Sequence, residues 1–176
     1  MIAIDALPET DAARTYGDEL SCFVVYAGGA MFGLPVDAVH AIFRIQSITP
    51  VPLGPPVVLG LVNLRGKIVT AVSLARRLNM SEGEPAHVYG VAIDSGGESY
   101  ALVVDAVGDA MTCRETDRAP TPTHVSEARA NLTQAYYRIE AGLLPVLDID
   151  ALFELNPRRS RHENRAQHEA THGADT

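Results

Sequence analysis

The stretch G60-L-V-N-L-R-G-K-I-V-T-A-V-S-L74 runs apolar, breaks at Asn63-Leu64-Arg65-Gly66-Lys67, and then runs apolar again into a short helix-like ending. Two apolar runs flanking a Gly-containing break read as a β-hairpin, because the reversal exposes backbone groups to water and glycine accepts a positive φ at no steric cost. The same device recurs at Gly28-Gly29 inside CFVVYAGGAMFGLPV, at Asp94 to Gly97 inside VYGVAIDSGGESYALVV, and at Ala141-Gly142 inside YRIEAGLLPVLDI. Four hairpin signals predict an all-β core. The question left by the first of them is why an arginine should stand at the tip of so apolar a hairpin.

The hairpins are not independent. LPVDAV, Leu34 to Val39, follows the first, and LVVDAV, Leu102 to Val107, follows the third. IVTAVSLARRL, Ile68 to Leu78, aligns with LLPVLDIDALF, Leu143 to Phe153, each a β-like run passing into a short amphipathic turn of helix. The order hairpin, V-D-A-V, hairpin, strand-then-helix therefore occurs twice at a spacing of roughly 70 residues, long enough for each copy to form its own small barrel. Ser73 and Asp148 stand at equivalent positions and have side-chain oxygens suited to capping the helix that follows. The proline-rich ITPVPLGPP, Ile48 to Pro56, lacks the backbone donors of a central strand and reads as a surface connector. Cys113 to Gln134 reads as a loop with helical turns. Residues 1–18 read as a flexible leader, 19–155 as the ordered domain, and 156–176 as a polar tail too poor in apolar residues to order.

Composition bounds the function. A chain of 176 residues can bury a real core, and a formal net charge of −8 opposes association with a phosphate backbone, so nucleic acid is not an expected partner. No basic-then-apolar leader and no span-length apolar run is present, which predicts a cytosolic chain with no membrane insertion. Cys22 and Cys113 lack metal-ligand spacing and are expected to be reduced thiols. The tail carries HEATH, His168 to His172, which matches H-E-x-x-H; a metal-dependent hydrolase built on it would need a packed helix, a third ligand and a cleft, and chance composition explains the match better. His40, His87 and His124 are scattered, and no nucleophile elbow or phosphate loop occurs, so no catalytic residue, cofactor or metal is expected. A β core without a chemical centre works by presenting surfaces. That directs attention to Arg65 and to VHAIFRI, Val39 to Ile45, for which plain core packing is the competing explanation.

At these residues the sequence resembles the CheW-like domains of chemotaxis coupling proteins, in which an N-L-R-G turn lies between two strands. The likeness runs from about Ser21 to Phe153 and includes the Gly-Gly hairpin, both V-D-A-V segments and LLPVLDIDALF. It implies two SH3-like five-stranded β barrels packed about a shared apolar interface. It also implies a non-catalytic adaptor that joins the cytoplasmic tips of chemoreceptors to the regulatory domain of a CheA-type histidine kinase, with self-association in array rings. By matching motifs, Arg65 and Val39 belong to the partner surface, Asn63, Gly66 and Gly60 shape the turn, and Val107 is the equivalent of Val39; Ile42 joins Val39 as an apolar candidate. Where family members carry a glutamate able to pair with the turn arginine, this chain has His40-Ala41-Ile42, and Thr70 and Ser73 replace the usual proline and aspartate that Pro145 and Asp148 retain. These departures imply a divergent or accessory array. A detached kinase regulatory module competing for the same partners is the other reading of the same resemblance.

Overall fold

The structure, a computed structural model, describes residues 19–83 and 88–155. Two sheets form its core. Strands β1 (Glu19–Ala27) and β2 (Ala30–Pro35) make the first hairpin, β3 (Val39–Arg44) follows, and β4 (Val58–Leu64) and β5 (Lys67–Ser73) make the second hairpin and enter α1 (Leu74–Arg77). The second half repeats this with β6 (Tyr89–Ser95), β7 (Glu98–Val104), β8 (Ala106–Arg114), a two-residue β9 (Arg118–Ala119), α2 (Glu127–Ala130), β10 (Thr133–Ile139), β11 (Gly142–Leu147) and α3 (Ile149–Phe153). The four predicted hairpins are all present. The last one turns at Glu140-Ala141, one residue earlier than expected, with Gly142 opening β11 at a φ of +126° opposite Ile139.

The pairing of the strands departs from the expectation that each repeat builds its own barrel. The sheet orders are β8-β1-β2-β11-β10-β9 and β3-β6-β7-β5-β4, so each lobe joins the leading hairpin of one repeat to the trailing strands of the other. The first hairpin is sewn in by Val146 of β11 lying parallel to Gly33 of β2, and the third by Thr70–Ser73 of β5 lying parallel to Tyr100–Val103 of β7. Self-similarity in sequence reports which segments have the same local form; it does not report which copy each will pair with.

Both faces of each sheet are apolar, which is why each curls into an SH3-like barrel. One face of either sheet meets a shared cluster that takes Val25, Phe32, Leu34 and Leu147 from the first sheet and Val72, Ile93, Leu102 and Val104 from the second, with Leu74, Leu78 and Leu152 from the short helices. The opposite faces enclose separate clusters, one around Cys22, Cys113, Leu144 and Val146 and one around Val62, Val69, Ala71 and Ala101. Ser73 and Asp148 cap α1 and α3 as predicted, accepting from the backbone N–H of Arg76 at 3.2 Å and of Ala151 at 3.0 Å. The two helices are then tied together by Arg77, whose Nε donates to the Leu152 carbonyl and whose terminal nitrogen donates to the Ala151 carbonyl, both at 2.8 Å. Arg77 is half-buried, and desolvation lowers its pKa from the usual 12.5.

The second V-D-A-V segment also locks the repeats together. Asp105 accepts from the Gly28 N–H at 2.8 Å, and its own N–H donates to the Tyr26 carbonyl at 2.8 Å, so the first turn is held by the link between β7 and β8.

Candidate functional site

The tip of the β4–β5 hairpin is a two-residue turn in which Arg65 has φ +50° and Gly66 φ +88°, the signs a type I′ turn requires. This turn matches the right-handed twist of the flanking strands, and Gly66 suits it. Arginine does not, since its Cβ is crowded in the left-handed region. Asn63 stabilises the reversal by accepting the Gly66 N–H on its side-chain oxygen at 2.7 Å. Farther along β4, Gly60 is buried with φ +147°, and a Cβ there would run into the carbonyl of Thr49. That close approach lets Thr49 and Leu61 exchange two backbone hydrogen bonds of 2.9 and 2.8 Å, which fasten the proline-rich connector to the edge of the sheet.

The strand order brings several separated segments to one end of the second sheet. Its antiparallel and parallel pairings put the start of β3, the end of β6, the starts of β7 and β5 and the end of β4 side by side. A polar chain crosses that end. His40 Nε2 lies 3.3 Å from Asp94 Oδ2, Ser99 donates to Asp94 Oδ1 at 2.6 Å, and Lys67 Nζ donates to the Ser99 hydroxyl at 2.6 Å. His40 thus turns to Asp94, and Lys67 is engaged within the chain. Arg65 is exposed and, among the described residues, makes no hydrogen bond or ion pair.

Val39 pairs with Ile93 and Ile42 with Val91, so both lie on the β3 edge of this sheet, with Val39 at the same end as Arg65. Each is half-buried against the shared cluster, so core packing accounts for part of the apolar character of VHAIFRI. Asn63 and Gly66 lie in the turn itself, and Gly60 lies behind it as the site of connector attachment. Val107 is on the other sheet, in β8 opposite Val25, and packs against the shared cluster. It is the topological counterpart of Val39 and not a member of the Arg65 sheet end.

Two features escaped sequence reasoning. The chain His40–Asp94–Ser99–Lys67 joins residues from four strands, and pairing across repeats is what assembles it. Leu53, at φ +61°, is fully exposed at the turn of the connector, where the apolar, proline-rich sequence had suggested only a surface link. Cys22 and Cys113 are free thiols, as expected, and both are buried; burial, with Cys113 beside it, pushes the Cys22 thiol up to about 12. No group of three or more His, Cys, Asp or Glu side chains is placed to hold a metal among the described residues, and HEATH lies outside them, as do His87, the leader and the tail.

Residues 21–156 match the CheW-like domain family. The chain belongs to that family. A relative named chemotaxis protein CheW, from Rhizobium meliloti strain 1021, is 33% identical over 82% of this CheW-like chain and 92% of its own length. Chemotaxis protein CheW from Bacillus subtilis strain 168 is 25% identical over 85% of this chain and 96% of its own. The crystal structure of the scaffolding protein TtCheW from Thermoanaerobacter tengcongensis superposes with a TM-score of 0.69 at 24% identity, covering 78% of this chain and 94% of that one, and so shares the fold.

Proposed function

We propose that this CheW-like chain is a non-catalytic chemosensory adaptor that couples the cytoplasmic tips of chemoreceptors to the regulatory domain of a CheA-type histidine kinase. It acts in the cytoplasm, recruited to membrane-associated receptor arrays; no helix among the described residues is long and apolar enough to cross a membrane. Family membership supports the adaptor class, and the names of the relatives support a role in chemotaxis. The observation that carries the site assignment is Arg65, an exposed guanidinium with no partner among the described residues, on a backbone conformation that arginine adopts at a cost. Its fixed fork of donors suits a partner's carboxylate or carbonyl oxygens, with Asn63 and Gly66 holding the turn and Val39 and Ile42 supplying apolar surface on the same sheet.

The test is a titration of the purified chain against a receptor-tip fragment and against the kinase regulatory domain. Association with both is expected, and Arg65→Glu should weaken at least one of them. A chain that binds neither partner overturns the adaptor reading; unchanged affinities of Arg65→Glu for both leave the arginine as a turn residue only.

A further inference from the structure

From Ile45 to Leu64 the sequence contains no ionisable side chain, although a fifth of the whole chain is charged. Four of the five exposed large hydrophobic residues among those described, Val51, Leu53, Leu61 and Ile68, fall in this run or in the β5 strand beside it. Leu61 pairs with Thr70, and Ile68 with Asn63, so in a pleated hairpin Leu61 and Ile68 share a face. The connector that carries Val51 and Leu53 is bonded to that hairpin at Leu61. Arg65 stands at the end of the strip.

Leu53 concentrates two unfavourable features in one residue. Its side chain is fully in water, and its backbone sits in the left-handed region that a glycine or asparagine would occupy with less strain. The chain turns at Pro52-Leu53, and the φ of Leu53 at the third turn position is that of a type II turn with proline second. Nothing nearby lets the turn relax. Thr49 is fixed on one side; on the other, Val58 donates to the Pro55 carbonyl at 2.9 Å, Ser73 to the Val57 carbonyl at 2.8 Å, and Arg76 to the Pro56 carbonyl at 3.0 Å. Pro50, Pro52, Pro55 and Pro56 restrict the backbone further. The connector is a stiff bracket that holds one apolar side chain outward.

We propose that Leu53 is a preformed docking knob, and that it seats in an apolar recess of a folded partner protein whose margin carries a carboxylate for Arg65. An uncharged strip ending in two exposed cations, Arg65 and Lys67, neither in an ion pair among the described residues, complements such a surface, and a rigid bracket removes the ordering cost that a flexible loop would incur on binding. This inference rests on the adaptor reading for the identity of the partner and goes beyond it in assigning a second contact element, outside the N-L-R-G turn.

The experiment uses the full chain, Leu53→Asn and Arg65→Glu, each titrated against the kinase regulatory domain and the receptor-tip fragment at low and high salt, with melting curves and sedimentation of each chain alone. Asparagine tolerates the left-handed backbone, so Leu53→Asn should melt at or above the parent temperature. Its affinity for one of the two partners should fall about tenfold to a hundredfold, the loss expected when a buried leucine contact is removed. That loss should persist at high salt, whereas the Arg65→Glu loss should shrink. Leu53→Asn binding both partners like the parent, while Arg65→Glu is weakened, overturns the knob and leaves the arginine surface standing. Loss of self-association in Leu53→Asn with unchanged partner binding makes the occupant a second copy and likewise overturns the assignment. A parent chain that binds neither partner overturns the adaptor reading and this inference together.

Discussion

Replacing Arg65 by asparagine separates the two things this residue does. A left-handed φ of +50° costs a non-glycine residue of order 1–2 kcal/mol, and asparagine recovers much of that because its short polar side chain tolerates the conformation. Asn-Gly is also the favoured pair for the central positions of a type I′ turn, and Gly66 already occupies the second. Arg65 makes no bond within the described residues that the substitution would break. Arg65→Asn should therefore stabilise the fold by about 1 kcal/mol, which for a domain of this size corresponds to a rise in Tm of roughly 2–4 °C. If the guanidinium meets a partner's carboxylate, the same change should weaken binding about tenfold or more, since a hydrogen bond to a charged group contributes about 1.5–3 kcal/mol. Arg65→Glu keeps the strain and reverses the charge, so its stability should stay within about 0.5 kcal/mol of the parent while its binding falls further. The assay is thermal melting beside titration against both proposed partners. A lower Tm for Arg65→Asn would refute the account of the turn, and an unchanged affinity would refute the account of the surface.

Removing the clamp between the two helices by Arg77→Met should cost about 2 kcal/mol, because two carbonyls at the end of α3 lose a charged donor; chemical denaturation should register it as a lower midpoint at constant slope. Glu82 accepts from Arg76 at 2.8 Å and from the Ser73 hydroxyl at 2.8 Å, and the Arg76 hydrogen bond is the largest cause of its lowered pKa. A carboxylate depressed in the folded state contributes stability above its ordinary pKa of 4.5 and loses it as pH falls through the lower folded value. The stability difference between the parent and Glu82→Gln should accordingly be present at pH 7, shrink as pH falls below 4.5 and vanish once the carboxyl is protonated in the folded state as well; a difference that grew on acidification would contradict the hydrogen-bond assignment.

The local form of the chain was legible in its sequence because each signal has a local cause. Glycine-bearing breaks mark turns, the apolar runs on either side mark strands, and an oxygen-bearing residue ahead of a short apolar helix marks a cap, as Ser73 and Asp148 bear out. The exchange of hairpins between repeats was not legible: β2 and β11, or β5 and β7, pair through backbone hydrogen bonds, which are the same for any strand, while the apolar side chains of the two copies are alike. For the same reason the polar chain from His40 to Lys67 could not be read from spacing, although Asp94, Ser99 and Lys67 lie in or beside turns that could. The missing glutamate near Arg65 was visible in sequence; that His40 would face Asp94 depended on which strand lies beside β3. Leu53 was hidden by a different cause. Proline-rich connectors are common and apolar residues in them ordinary, and only the sign of one backbone angle together with full exposure makes this one unusual.

The exchange of hairpins has a consequence for how the protein is made. During synthesis β1 and β2 leave the ribosome ahead of the other strands, yet their neighbours β8 and β11 begin only at Ala106 and Gly142. Until β8 emerges the nascent first hairpin has two unpaired edges, and the β2 edge stays open until β11 follows, a form prone to intermolecular pairing. The second sheet has all its strands once Val104 has emerged, whereas the first, which holds the earliest hairpin, waits for Leu147. Folding must then close long loops before the contacts that reward closure can form, which slows it. The β1–β2 hairpin is the segment for chaperones to shield while the later strands are made, and a fragment ending after α1 should be captured by chaperones or degraded instead of persisting as a half-size domain.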